Sequence, residues 1–260
     1  MELYIHETER ENAPSIVFLH GIGAGGWMWR RQITALADFH CITLDLPGHG
    51  KSSGVSWTSL ADVSDQIATL IQTHAHNQRA HVVGLSLGGH IALELLARHS
   101  HHLQHVVISG VTVEPWPNRV FLKPQLGLIT TLLKQPWYRN QIIKSMRVPP
   151  DMQADALASL QAVSIPAYRQ IYQEGAEWSV SPSLATINNP TLVTAGSLET
   201  KIIRQAVHAL VDLMPHAQGC FAPRCHHGWN IEAPELFSTM IRAWVNTEPL
   251  PSPLQIVKGA

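Results

Sequence analysis

Apolar residues are grouped along the chain in short continuous runs, rich in Val and Ile and bounded by Gly, Pro, Asn or Asp. Runs without alternating polar positions are typical of strands that are covered on both faces. We expect strands at residues 15–21, 40–48, 81–86, 105–111, 190–197 and, more weakly, 219–228.

Amphipathic segments with a helical period separate these runs. They cover residues 27–38, 59–75, 89–100, 200–217 and 233–245. Regular alternation of strand and helix is typical of a parallel sheet with helices on both faces. The pattern therefore predicts an α/β fold built on a mostly parallel, doubly wound sheet.

One long segment interrupts this alternation. Residues 112–186 contain several short helical stretches that are separated by prolines, and no convincing strand. A connection of this length is rarely a plain loop, so we expect an inserted helical cap. The core is then residues 1–111 and 187–246, and the Pro-rich tail, 247–260, is expected to be loosely ordered.

The composition of the chain limits which binding partners and which cellular compartment we expect. Lys and Arg number 18 against 19 Asp and Glu, without a block of like charge, which argues against nucleic acid as a partner. No apolar run approaches the ~20 residues of a bilayer span, and the polar N-terminus does not resemble a secretory signal. Three scattered cysteines favour reduced thiols, so we expect a cytoplasmic protein without membrane insertion.

Two further sequence patterns could be taken for a metal site and for a nucleotide-binding loop. The run HSHHLQH, residues 99–105, fits a solvated helix end better than a metal site, because imidazoles are favoured near C-terminal carbonyls. The glycines of residues 21–26 show the dinucleotide spacing only within the run GIGAGG, which has a further Gly at the wrong place, and the acidic residue expected after the next strand is missing in that role. We therefore expect no metal and no cofactor.

The stretch HVVGLSLGGHIALELLARH carries the main chemical signal. Ser86 stands between Gly84 and Gly88, where a predicted strand changes into a predicted helix. This is the G-x-S-x-G pattern of a nucleophile elbow, in which a strained turn exposes the serine hydroxyl. The Leu87 amide begins the helix and would face developing negative charge.

A serine nucleophile needs a base, an orienting acid and an oxyanion hole. Downstream of the last predicted strand, CHHGWNIEAPELF offers His226 and His227 as the base. Glu199 is the first carboxylate after the fifth strand, with Asp212 and Glu114 as alternatives. The Ile22 amide, in the loop after the first predicted strand, is the candidate second oxyanion donor.

Four segments together resemble the α/β-hydrolase superfamily, in its small capped, esterase-like branch: HGIGAGGWMW, DLPGHGKSSG, GLSLGG and HHGWNIEAPELF. The resemblance covers roughly residues 14–110 and 188–246. It implies His227 rather than His226 as the base, since a histidine typically stands five residues before this glutamate. It also implies an acid at position 199, where Glu replaces the usual Asp, and mostly structural roles for Asp45 and His49.

The function that this resemblance implies is acyl transfer. We expect Ser86, His227 and Glu199 to cleave a small or medium apolar carboxylic ester through an acyl-enzyme, with Leu87 and Ile22 as oxyanion donors. Open alternatives are C–C bond, enol-lactone or peroxide chemistry, or a slow-turnover small-molecule receptor or regulatory partner. A dehalogenase is excluded because it needs a carboxylate at position 86. The physiological substrate and oligomeric state stay open.

Overall fold

The six predicted apolar runs form the six central strands of an eight-stranded sheet in the computed structural model, which describes residues 2–117 and 119–257; the two edge strands were not predicted. The sheet order is β1-β3-β2-β4-β5-β6-β7-β8, with β2 to β7 parallel and the two edge strands antiparallel to their neighbours. This confirms the predicted fold class. The strands are β1 Ile5–Glu7, β2 Ser15–Leu19, β3 His40–Leu44, β4 Ala80–Leu85, β5 Leu103–Ser109, β6 Thr191–Gly196, β7 Ala217–Ala222 and β8 Gln255–Val257.

Helices cover both faces of the sheet because its central strands are apolar on both sides. One core cluster contains apolar residues of α2, α3 and α8, and a second contains those of the α1 region and α10. The helices are α1 Arg30–Ala35, α2 Leu60–His74, α3 Leu87–His99, α4 Leu122–Leu132, α5 Pro136–Ser145, α6 Gln153–Ala162, α7 Ile165–Glu177, α8 Lys201–Leu213, α9 Trp229–Glu232 and α10 Pro234–Val245.

The C-terminal tail differs from its prediction. Residues 255–257 are not loosely ordered but form β8, which pairs antiparallel with β7 from Gly219↔Val257 to Phe221↔Gln255. Local composition favoured disorder, whereas the open edge of β7 offers unpaired backbone groups that a distant segment can bind. Residues 258–260 of the predicted tail lie outside the described residues, as do residues 1 and 118 of the predicted core and cap.

The predicted insertion carries helices α4 to α7, which have an apolar cluster of their own. Buried hydrogen bonds tie these helices to the core. Glu174 of α7 accepts from the Trp57 indole at 3.1 Å and from the Leu60 amide, at the start of α2, at 2.7 Å. The Ser164 amide donates to the Gly48 carbonyl at 2.8 Å. The cap is therefore held at a defined position over the sheet.

Two fully buried histidines hold the loops that follow β2 and β3. His20 Nδ1–H donates to the Gly21 carbonyl at 2.8 Å, and His20 Nε2 accepts from the Leu46 amide at 2.9 Å. His49 packs edge-on against His20, with ring centroids 5.1 Å apart. Burial lowers the pKa of His20 to about 4 and that of His49 to about 3, so both rings are neutral at pH 7.

We expect these histidines to destabilise the fold in mild acid. In the unfolded chain these histidines are protonated below about pH 6.5, whereas in the folded protein His20 is protonated only below about pH 4. Between these pH values the unfolded state binds more protons, so the free energy of unfolding falls as pH falls. The expected slope is up to about 1.4 kcal/mol per pH unit for each histidine. Urea unfolding between pH 7.5 and pH 5 measures it.

Two variants separate this effect from general acid sensitivity. His49→Leu removes one buried ring and should lower the slope, whereas His216→Leu, at an exposed position, should leave it unchanged. A free energy of unfolding that stays flat over this pH range would contradict the prediction.

Candidate active site

The turn between β4 and α3 has the strained geometry that the sequence predicted. Ser86 has φ 57° and ψ −112°, a conformation that L-residues rarely adopt. A Cβ on Gly84 would lie 2.2 Å from the Gly88 carbonyl oxygen, and a Cβ on Gly88 would lie 2.1 Å from that of Leu19. Strand and helix can approach this closely only because both positions are glycine.

The loop after β2 packs directly against this turn. Gly21 to Ala24 form a hydrogen-bonded turn, and Gly23 supplies its positive φ of 74°. The Ile22 amide occupies the turn position that makes no internal bond, and the Leu87 amide opens α3, where no intrahelical acceptor exists. The Gly88 amide donates to the His20 carbonyl at 3.1 Å, which joins the two segments.

His227 and Glu199 meet at the same edge of the sheet. His227 Nδ1–H donates to Glu199 Oε1 in a short hydrogen bond. The Glu199 side chain is 6% exposed and that of His227 is 42% exposed, so the acid lies beneath the imidazole. The Leu198 amide donates to the Cys225 carbonyl at 2.9 Å and thereby holds the two loops together.

The other candidate residues lie elsewhere. Glu114 and Asp212 are both exposed, and in the described part of the chain neither makes a hydrogen bond with His227. His226 also borders the cavity above Ser86, but its Nδ1 pairs with Glu232 at 3.0 Å and not with Glu199. Asp45 has a structural position, since its carboxylate accepts from the Gly26 amide at 2.9 Å.

A cavity with two lobes opens over Ser86 and His227, and both residues line both lobes. The large lobe, about 450 Å³, runs beneath the cap towards Trp27, Tyr138 and Leu160. The small lobe, about 190 Å³, runs beside α3. Among the described residues, no Lys, Arg, Asp or Glu side chain lines either lobe.

Ser86 and His227 face each other across this cavity without a direct hydrogen bond, within the residues that the structure describes. Such contacts often tighten only when a substrate is bound. The arrangement offers a hydroxyl, an imidazole oriented by a carboxylate, and two unpaired amides. These are the groups that acyl transfer requires.

Known proteins resemble this chain in sequence and in fold. Residues 16–239 match the model of the alpha/beta hydrolase family. The chain belongs to this family. An AB hydrolase superfamily protein of Gibberella zeae is 27% identical over 97% of this chain and 87% of its own length. A 3-oxoadipate enol-lactonase of Acinetobacter baylyi is 27% identical over 73% of each chain.

The fold is also shared with solved structures. A thermophilic esterase from Thermogutta terrifontis superposes with a TM-score of 0.78 over 94% of this chain and 93% of that chain, at 20% identity. At this identity the likeness establishes the α/β-hydrolase fold alone. Between residues 2 and 257, residue 118 aside, no helix is both long and apolar enough to cross a membrane.

A further concavity of this hydrolase does not include Ser86 or His227. It has a volume of about 570 Å³, lies outside Trp27 and is bordered by the ion pair of Arg30 and Asp155. In the histidine-rich segment, His99 pairs with Asp65 at 2.6 Å. The described residues contain no group of three metal-ligating side chains.

Sequence reasoning missed Gly110, which follows β5 and has φ 68°. A Cβ at this position would lie 2.9 Å from His227 Cε1 and 3.6 Å from Glu199 Oε1. Gly110 therefore leaves the space in which the imidazole rests. The sequence shows a glycine at a strand end, but only the fold reveals what lies against it.

Sequence reasoning also missed His90, one helical turn after Ser86. Its Nδ1 lies 3.0 Å from the Ser86 carbonyl oxygen, and its ring lines the small lobe. The i, i+4 spacing in GLSLGGH was the available signal, because residues four apart share one helix face.

We expect Gly110→Ala to impair the site while the fold persists. The added Cβ displaces the His227 ring, and the positive φ adds about 1–2 kcal/mol of backbone strain. A misplaced base should slow labelling of Ser86 by a fluorophosphonate about 100-fold. Labelling rates and thermal unfolding measure the two effects.

The matched control is Gly127→Ala, in the interior of α4, where an added Cβ meets nothing within 4 Å. It should leave labelling unchanged and raise stability by up to about 1 kcal/mol. Labelling of Gly110→Ala at the wild-type rate would show that the space beside His227 is not needed.

Proposed function

We propose that this α/β hydrolase cleaves small or medium, uncharged, apolar carboxylic esters through a Ser86–His227–Glu199 triad. One observation carries the proposal. A strained serine and a carboxylate-oriented imidazole face one cavity whose described lining is free of charged side chains. A pair of this kind supports nucleophilic catalysis in the order hydroxyl, imidazole, carboxylate.

In the proposed mechanism, Ser86 Oγ attacks the ester carbonyl carbon while His227 Nε2 removes the hydroxyl proton. The amides of Leu87 and Ile22 stabilise the negative charge on the carbonyl oxygen. The C–O bond to the alcohol then breaks, and His227 returns its proton to the leaving alcohol. The imidazole next deprotonates a water, which attacks the acyl-enzyme and releases the acid and Ser86.

Glu199 acts through His227 in this scheme. Its hydrogen bond to Nδ1–H leaves Nε2 as the proton acceptor and stabilises the imidazolium that forms. Its low exposure shields this interaction from solvent. The glutamate side chain is longer than that of the usual aspartate. The loop of residues 197–200 is hydrogen-bonded to the loop that follows β7, and this position of the loop accommodates the longer side chain.

The lining of the cavity supports neutral substrates. A carboxylate placed in either lobe would lose its hydration without gaining a cationic partner, which costs several kcal/mol. The name of the Acinetobacter relative denotes a lactone of 3-oxoadipate, which carries a carboxylate. We therefore propose a neutral ester, or a neutral lactone as its cyclic form, rather than that substrate.

We expect Ser86→Ala to abolish turnover of p-nitrophenyl esters. Loss of the nucleophile should lower kcat by 10³-fold or more, since the oxyanion hole alone retains little catalysis. The measurement is steady-state release of p-nitrophenol from acetate, butyrate and octanoate esters, together with fluorophosphonate labelling of both proteins.

A charged ester provides the control for the neutral preference. p-Nitrophenyl hemisuccinate has the chain length of the butyrate ester but carries a carboxylate, and should react at least 10-fold more slowly in kcat/KM. Labelling without turnover of any ester would instead favour a receptor or another substrate class. Neither labelling nor turnover would refute the triad.

Replacement of each acidic candidate tests the third member of the triad. Glu199→Gln keeps the side-chain size but loses the negative charge that stabilises imidazolium, so kcat should fall about 10²- to 10⁴-fold. Glu114→Gln and Asp212→Asn are the matched controls, because both residues are exposed and distant from the imidazole. If either control lowers kcat as much as Glu199→Gln, the acid is misassigned.

A further inference from the structure

The small lobe is mostly apolar away from Ser86 and His227. Leu60, Trp116, Ile171 and Ile203 are among the residues that line it, and the side chains of His90 and Thr112, which carry polar atoms, line it too. Its volume of about 190 Å³ slightly exceeds the about 150 Å³ in which a buried cavity holds a benzene molecule. One short branch of a substrate therefore fits there.

The hydrogen bonds of His90 define which nitrogen carries its proton. Nδ1 lies 3.0 Å from the Ser86 carbonyl oxygen, which can only accept, so Nδ1 bears the hydrogen. Burial lowers the pKa of His90 to about 4, and the ring is neutral at pH 7. Nε2 consequently presents a lone pair.

This lone pair is poorly satisfied in the free protein. Both of its neighbouring groups belong to Thr112: the hydroxyl lies 3.4 Å away, a long contact for an O–H donor, and the backbone carbonyl can only accept, so it cannot satisfy the lone pair. The Trp178 ring packs edge-on at 4.8 Å and keeps the imidazole from turning away. An acceptor held in a mostly apolar lobe favours a ligand that brings a donor.

We propose that His90 Nε2 is a specificity-determining acceptor for a hydroxyl or N–H group on the substrate branch in the small lobe. The inference rests on the proposed esterase function and refines its substrate class. The preferred substrates are uncharged esters with one hydrogen-bond donor on an otherwise apolar branch. A branch without a donor leaves the buried Nε2 lone pair unpaired. An ether oxygen is itself only an acceptor and therefore repels this lone pair.

Matched esters that differ at one group test this proposal. On the acyl side they are p-nitrophenyl butanoate, 3-hydroxybutanoate and 3-methoxybutanoate, and on the alcohol side propyl, 2-hydroxypropyl and 2-methoxypropyl butanoate. In one of the two series, wild type should favour the hydroxy ester over the plain ester at least about 5-fold in kcat/KM. The methoxy ester should be the poorest of that series.

Replacement of His90 should remove this preference. His90→Leu should lower the hydroxy-to-plain ratio of kcat/KM roughly 5- to 100-fold, and His90→Gln, which keeps an acceptor oxygen, should restore part of it. Thr112→Val removes the competing donor and should maintain or raise the ratio. The ratio is the readout because His90 also contacts the Ser86 carbonyl, and a purely positional role would change both esters equally.

Each other result overturns the inference. These results are no hydroxy preference in either series, an equal loss for both esters in His90→Leu, or loss of the preference in Thr112→Val with retention in His90→Leu. If His90→Leu does not fold, the wild-type series and Thr112→Val still decide. Failure of the proposed function is distinct, since it shows as no Ser86-dependent turnover of any ester.

Discussion

The close approach of β4 and α3 is the constraint on which the site depends. Gly84 lets α3 approach β4, because a Cβ there would lie 2.2 Å from the Gly88 carbonyl oxygen, and Gly88 lets α3 approach the end of β2, because a Cβ there would lie 2.1 Å from the Leu19 carbonyl oxygen. The resulting positive φ at Ser86 costs about 1–3 kcal/mol. Hydrogen bonds from the Ser86 amide to Ser109 and from the Gly88 amide to His20 maintain it, so neighbouring strands β5 and β2 hold the turn in place.

The same physical device recurs at two neighbouring strand ends. A Cβ on Gly196, at the end of β6, would lie 2.2 Å from the Cys225 carbonyl oxygen, and Gly110 leaves room for His227. Because these positions lack side chains, the loop after β7 can settle onto the sheet edge and reach Glu199. Missing Cβ atoms at these positions therefore let Ser86, His227 and Glu199 converge, and a short hydrogen bond joins His227 to Glu199.

Few polar side chains line the cavity where Ser86 and His227 meet. Neutral histidines stabilise the loops around the site. His20 is hydrogen-bonded to the loop after β2, and His90 is hydrogen-bonded to the Ser86 carbonyl and lines the small lobe. Hydrogen bonds such as those of Glu174 fix the cap above the site. An uncharged cavity with few polar atoms gains selectivity from each of them, because an unpaired acceptor in apolar surroundings is costly.

Local patterns in the sequence determined strands β2 to β7, the helices between them and the position of Ser86, because strand runs, helical periods and the G-x-S-x-G spacing are short-range signals. Only the tertiary structure showed that Glu199, rather than Glu114 or Asp212, is hydrogen-bonded to His227. It likewise revealed the role of Gly110 and the pairing of β8 with β7. These depend on contacts between residues far apart in sequence, which no local pattern records.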